Sequence, residues 1–105
     1  MSDNLQIEPT QEEIKALKGE TLLEFGTSWC GYCQNAQPLI ADALRAFPNI
    51  RHIKIEDGKG RLLGRTFIVK LWPTLIFVKD GIEISREVRP TNTDAIIAGL
   101  RGLSR

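Results

Sequence analysis

Cys30 and Cys33, the only cysteines in the chain, stand in "EFGTSWCGYC", residues 24–33, where an apolar run, "TLLEF" (21–25), passes into a segment with helical spacing. In that segment Ala36, Leu39, Ile40, Ala43, Leu44 and Phe47 recur at i, i+3, i+4, i+7 and i+8, which predicts a helix with one buried face. A central strand that runs almost directly into such a helix points to layered α/β packing. Pro38 lies inside the helical pattern and predicts a kink, and Pro48-Asn49 ends it.

The rest of the pattern agrees. Leu5 to Ile7 reads as a short edge strand. Thr10-Gln11-Glu12-Glu13 is a capping box that opens a short helix through Ile14 and Leu17, stopping at Gly19. "IRHIKI" (50–55) alternates as a strand, and "GKGRLLGRTF" (58–67) reads as a loop with a short helix. "TLIFV" (74–78) is continuously apolar, as in a strand buried on both faces. "KDG" (79–81) is a hairpin turn, and "IEISREV" (82–88) is the returning strand. Thr91 to Thr93 offer N-caps for a last helix that carries Ile96, Ile97 and Leu100 on its apolar side. The predicted order is β-α-β-α-β-α-β-β-α. It describes one α/β domain over 1–105, with a central mixed sheet of about five strands and helices on both faces.

At 105 residues with 42% hydrophobic and 26% charged side chains, the chain can build a core without disulfide staples. A net charge of +1 gives no reason to expect a nucleic-acid partner. The start, "MSDNLQIEPTQEE", lacks the basic and apolar regions of a signal peptide, and no run is long enough to span a bilayer. A cytoplasmic location without a membrane partner is therefore expected, where thiols are normally kept reduced.

Four chemistries use C-x-x-C. Haem attachment needs a His after the second Cys, and position 34 is Gln. A closed zinc site needs four ligands, and His52 is the only other soft ligand, so no metal is expected within one chain. A structural disulfide closing so small a loop constrains little chain entropy. A redox pair remains, the expected reading for C-x-x-C near a βαβ pattern. Cys30, at the strand-to-helix junction, faces amides and a helix dipole that stabilise a thiolate, so it is the expected nucleophile. Cys33, about one turn further in, is the expected resolving thiol. Gly31 lets the backbone turn tightly beside the sulfurs. Tyr32 either tunes the redox potential or is simply an exposed aromatic on a turn.

Taken together, these motifs resemble the thioredoxin family over nearly the whole chain. "WCGYC" (29–33) is similar to that family's W-C-G-P-C, Pro38 matches its kink proline, and "WPTLIFVKDG" (72–81) resembles its segment around a cis proline. The resemblance implies a thioredoxin fold and a protein-disulfide oxidoreductase acting in cell redox homeostasis. It implies a redox-active Cys30–Cys33 disulfide and a cis Pro73 packed against it. Glu24 falls where the family carries a buried acid and would relay the Cys33 proton. Trp29, Gly31, Tyr32, Trp72, Pro73 and Thr74 would form the substrate surface, with the Trp72 backbone pairing with an extended client. No cofactor would be bound. Electrons would come from NADPH through a thioredoxin reductase, and the partners would be that reductase and disulfide-containing clients, met by a monomer.

Four positions depart from the family pattern: Tyr32 replaces Pro, Gly26 stands where a second Trp is usual, Trp72 replaces a small β-branched residue, and Arg89 replaces a groove-lining glycine. Glu24 is either the relay, with a pKa raised by burial, or a charge at the sheet's edge. His52 shares a strand face with Lys54 and falls near where the family often has a Lys close to the buried acid. A plain strand histidine is the preferred reading, with contact to Glu24 the alternative. Trp72 is either a wall of the client site or core packing. Lys59, Arg61, Arg65 and Lys70 read as a solvated face rather than a dock for an acidic partner. Two rival functions remain: a glutaredoxin-like, glutathione-dependent oxidoreductase, and an assembly module in which two chains share zinc or an iron–sulfur cluster.

Overall fold

The computed structural model describes residues 8–104. Eight elements follow in order: α1 (Gln11–Lys15), β1 (Glu20–Gly26), α2 (Gly31–Leu44), β2 (Arg51–Glu56), α3 (Leu62–Thr66), β3 (Thr74–Lys79), β4 (Ile82–Val88) and α4 (Thr93–Gly102). The sheet order is β2-β1-β3-β4, with β1 and β2 parallel and the other pairs antiparallel. The described sheet thus has four strands rather than about five. The expected strand at Leu5 to Ile7 lies outside the described residues.

β1 and β3 occupy the centre, and that position explains their composition. Their alternate residues serve two separate cores. Leu22, Leu75 and Phe77 meet Ala36 and Ile40 of α2 and Ile96 and Leu100 of α4. Leu23, Phe25, Ile76 and Val78 meet Ile14 of α1 and Leu63 of α3. Both faces are therefore covered, which is why β3 reads as a continuous apolar run and β1 as one interrupted only by Glu24. β4, at the edge, stays largely exposed, with Ile82 and Ile84 open to solvent.

Local chemistry sets the boundaries. The capping box at Thr10 and Glu13 forms both of its hydrogen bonds. α1 is shorter than expected, because Leu17 already lies beyond its last turn. α2 continues through Pro38 as one span. Asp80 and Gly81 both take positive φ (50° and 81°), the backbone of a two-residue hairpin turn. Asn92 caps α4 through the Ala95 N–H. Among the described residues no helix is long and apolar enough to cross a membrane.

Candidate active site

The C-terminal end of β1, the start of α2 and the loop before β3 converge on the cysteines. Both are free thiols, and both are buried, Cys30 at 7% and Cys33 at 4% exposure. Cys30 is the N-cap of α2, and its sulfur accepts the Cys33 N–H at 3.3 Å. Burial alone would raise the Cys30 pKa. Hydrogen bonds from the Cys33 thiol and from the Cys33 and Tyr32 backbones, with the charge of Arg89, bring it below the usual thiol value instead. Burial, the hydrogen bond to Cys30 and the negative field of Cys30 and Glu24 push Cys33 up to about 12, against an opposing backbone hydrogen bond from Thr27. One cysteine is set to ionise and its partner to stay protonated.

The surface beside Cys30 is aromatic and cationic. The Trp72–Pro73 peptide is cis, and the Cys30 thiol points at the Trp72 carbonyl oxygen at 3.9 Å. Trp72 is half-buried, so it belongs to this surface and not to the core. Its indole N–H donates to Asp57 at 2.8 Å, and its ring meets Trp29 edge-on, with centroids 5.5 Å apart. Trp29 (71% exposed) and Tyr32 (58%) are open to solvent. Gly31 is exposed, and a methyl group there would meet nothing within 4 Å. It has no positive φ, so its expected role in a tight turn is not required, and the missing side chain keeps this surface flat. Thr74 faces inward. It is buried and donates to the Leu71 carbonyl at 2.6 Å, so its side chain orders the cis-proline loop rather than lining the surface.

Glu24 departs from expectation in two ways. It lies in a central strand at 4% exposure, so it is not a charge at the sheet's edge. Its pKa is also lowered, not raised. Burial pushes it up, but hydrogen bonds with His52 and Gln37 and the charges of His52 and Lys54 outweigh burial. Gln37 Nε2 donates to Glu24 Oε2 at 2.6 Å, and His52 Nε2 lies 2.7 Å from Oε1. An ionised carboxylate only accepts, so that nitrogen carries the proton. His52 is therefore not a plain strand residue. The parallel register, Leu22 with His52 and Glu24 with Lys54, places all four on the α2 side of the sheet.

Two contributors had little signal in the sequence, and a third, Gly26, stood out only as a departure from the family pattern. Gln37 donates to both Glu24 and the Cys33 carbonyl and accepts from Lys54 Nζ at 3.1 Å. Its spacing of four residues from Cys33 is the one local clue. Asp57 orients Trp72 from a loop, and no local pattern marks it. Gly26 leaves room for a sulfur, since a methyl there would lie 2.6 Å from Cys33 Sγ. It opens a cleft of about 220 Å³ that joins Cys33 and Glu24 to solvent beside Lys54 and Glu56. The cluster of Lys59, Arg61, Arg65 and Lys70 takes no part, and three of these four residues are exposed.

A mixed sheet with helices on both faces, a C-x-x-C at the start of α2 and a cis proline opposite it define a thioredoxin-type fold. The Thioredoxin family model matches residues 4–102, and the chain belongs to that family. The reduced form of thioredoxin 2 from Pseudomonas aeruginosa is 49% identical, superimposes with a TM-score of 0.82, and is covered over 88% of its length by 90% of this chain. Thioredoxin-2 of Pyricularia oryzae is 32% identical over 84% of this chain and 54% of its own length. Thioredoxin H-type 1 of Nicotiana tabacum is 31% identical over 64% of this chain and 53% of its own. The chain thus spans about half the length of these curated relatives.

Proposed function

We propose that the protein is a thiol–disulfide oxidoreductase that reduces disulfides in client proteins. The observation that carries this reading is the unequal sulfur pair, with Cys30 inclined to ionise beside the Trp72 carbonyl and Cys33 held protonated behind it. A client lays an extended chain along the Trp72 carbonyl, between Trp29 and Tyr32. The Cys30 thiolate attacks one client sulfur. The client S–S bond breaks, a Cys30–client disulfide forms, and the first client thiolate leaves. Cys33 then loses its proton and attacks Cys30 Sγ. The mixed disulfide breaks, the second client thiolate leaves, and a Cys30–Cys33 disulfide remains. Two electrons have passed to the client.

Glu24 serves the second step. No direct hydrogen bond joins it to Cys33 among the described residues, since its partners are Gln37 and His52. Both groups border the same cleft, which is roomy enough for several waters. A carboxylate with a lowered pKa holds a proton only briefly and hands it on to solvent, so Glu24 acts as a relay and not as a store. The electron donor we assign is NADPH through a thioredoxin reductase, in the cytoplasm.

Replacing Cys33 with Ser should trap a client on Cys30 as a disulfide cleaved by dithiothreitol, and replacing Cys30 should abolish trapping. The wild-type protein should reduce a disulfide-linked test protein faster with thioredoxin reductase and NADPH than with glutathione. Dependence on glutathione alone would replace the reading with a glutaredoxin-like one. No turnover with either donor would refute it.

A further inference from the structure

We propose that Arg89 reads a carboxylate on the client, so that the site prefers disulfides flanked by Asp or Glu in an extended chain. This rests on the oxidoreductase reading and adds a substrate class to it.

The geometry around Arg89 is that of a pre-set receptor. Its backbone N–H donates to the Pro73 carbonyl at 2.9 Å, and its side-chain Nε donates to the Trp72 carbonyl at 2.7 Å. The guanidinium carbon lies 3.8 Å from the centroid of the Tyr32 ring, so the plane is held on an aromatic face. The Cys30 thiol points at the same Trp72 oxygen. Nucleophile and guanidinium thus meet on the carbonyl to which a client's main chain pairs. A carbonyl oxygen has two lone pairs, so once Cys30 ionises and no longer donates, the Arg89 bond leaves one for the client N–H.

Two observations say that this side chain is there for a ligand. Arg89 takes φ 50°, a left-handed conformation that is costly for any residue but Gly, Asn or Asp. Glycine would remove that cost but also the cation. The ion pairs of the described residues join Arg45 with Asp42, His52 with Glu24, and Arg86 with Glu83, and none uses Arg89. Its terminal nitrogens therefore keep the fork geometry that matches a carboxylate. Successive residues of an extended chain rise about 3.3 Å, so an acidic residue beside the attacked cysteine comes within reach of a cation that neighbours Cys30. The charge of Arg89 also favours the Cys30 thiolate, but that effect is the same for every client.

The test uses pre-reduced protein in single turnover against three peptide disulfides, identical except for Glu, Gln or Lys on both sides of the attacked cysteine. The expected order is Glu, then Gln, then Lys, with a Glu-to-Gln ratio of about three- to tenfold at low salt that shrinks as salt is added. Arg89→Gln should bring the ratio to one, and Arg89→Glu should favour the Lys peptide. Arg89→Gly relieves the left-handed φ and so guards against a folding defect; it should lose the ratio while keeping the wild-type melting temperature or exceeding it. Equal wild-type rates on all three peptides would overturn the Arg89 proposal and leave the oxidoreductase reading intact. No reaction with any peptide would overturn both. Oxidised glutathione, which also carries carboxylates, is the second arm. If Arg89→Gln slows only that disulfide and the wild-type peptide ratio is one, the protein-client proposal fails.

Discussion

Cys30 and Cys33 are the same residue type three positions apart, yet their environments drive their pKa values in opposite directions. Cys30 is the cap of α2 and gathers backbone donors and the Arg89 charge, whereas Cys33 gathers burial and negative neighbours. Alkylation of reduced protein with iodoacetamide should therefore modify Cys30 first. Its rate should rise with pH along a titration whose midpoint lies below the ordinary thiol value of 9.0. Cys33 should stay unlabelled until strongly alkaline pH, in keeping with a value of about 12. Peptide mapping after partial labelling checks this, and preferential labelling of Cys33 would reverse the assigned roles. Gly26 belongs at the same scale. A methyl there must displace Cys33 Sγ, so Gly26→Ala should slow release of a trapped client more than its capture.

At the scale of elements, α4 is seated by a close approach that only glycine allows. A Cβ on Gly99 would run into the ring of Phe77, a core residue of β3 with 1% exposure. Gly99→Ala should cost about 1–3 kcal/mol from overpacking, less up to about 1 kcal/mol returned by the higher helix propensity of Ala. Chemical denaturation should show a lower midpoint with an unchanged slope. A stabilised variant would mean that α4 can move away from the sheet at little cost. The elements themselves were largely legible from sequence. The turn at Asp80-Gly81, the capping box at Thr10 and the continuous run of β3 each carry their signal within a few residues. α1 was overestimated because the periodic apolar residue Leu17 packs from beyond the helix end.

For the whole molecule, the polar cluster of Glu24, His52, Gln37 and Lys54 couples stability to pH. The folded Glu24 has a pKa below its reference of 4.5, so its contribution is present above that value and is lost as pH falls through 4.5 toward the folded value. Glu24→Gln replaces an acceptor that serves two donors with an amide that can serve one. At neutral pH the variant should lose about 1–3 kcal/mol of stability, the cost of an unsatisfied buried donor. The difference from wild type should narrow as pH falls below about 4.5, where the unfolded chain takes up a proton that the folded carboxylate resists. Urea titrations at pH 7 and pH 3.5 measure it, and a gap that widens in acid would contradict the hydrogen-bonded carboxylate seen here. The same variant should slow resolution of the mixed disulfide.

Spacing and periodicity determine what depends on neighbours along the chain: the βα junction at Cys30, the two-faced strands, the turn chemistry, and the resemblance carried by "WCGYC" and "WPT". Which partners meet across the sheet is a different matter. The pairing of Glu24 with His52 follows from the parallel register of β1 and β2, because two strands joined through α2 can be set against each other only once the helix has packed. The same holds for Trp72 on Asp57 and for Arg89 on Tyr32 and the Trp72 carbonyl, contacts made 15 to 57 positions apart in the chain. The sign of the Glu24 shift could not be read from "LLEF" for that reason. Burial is written in the strand's own pattern, but the donors that outweigh it arrive from α2 and β2.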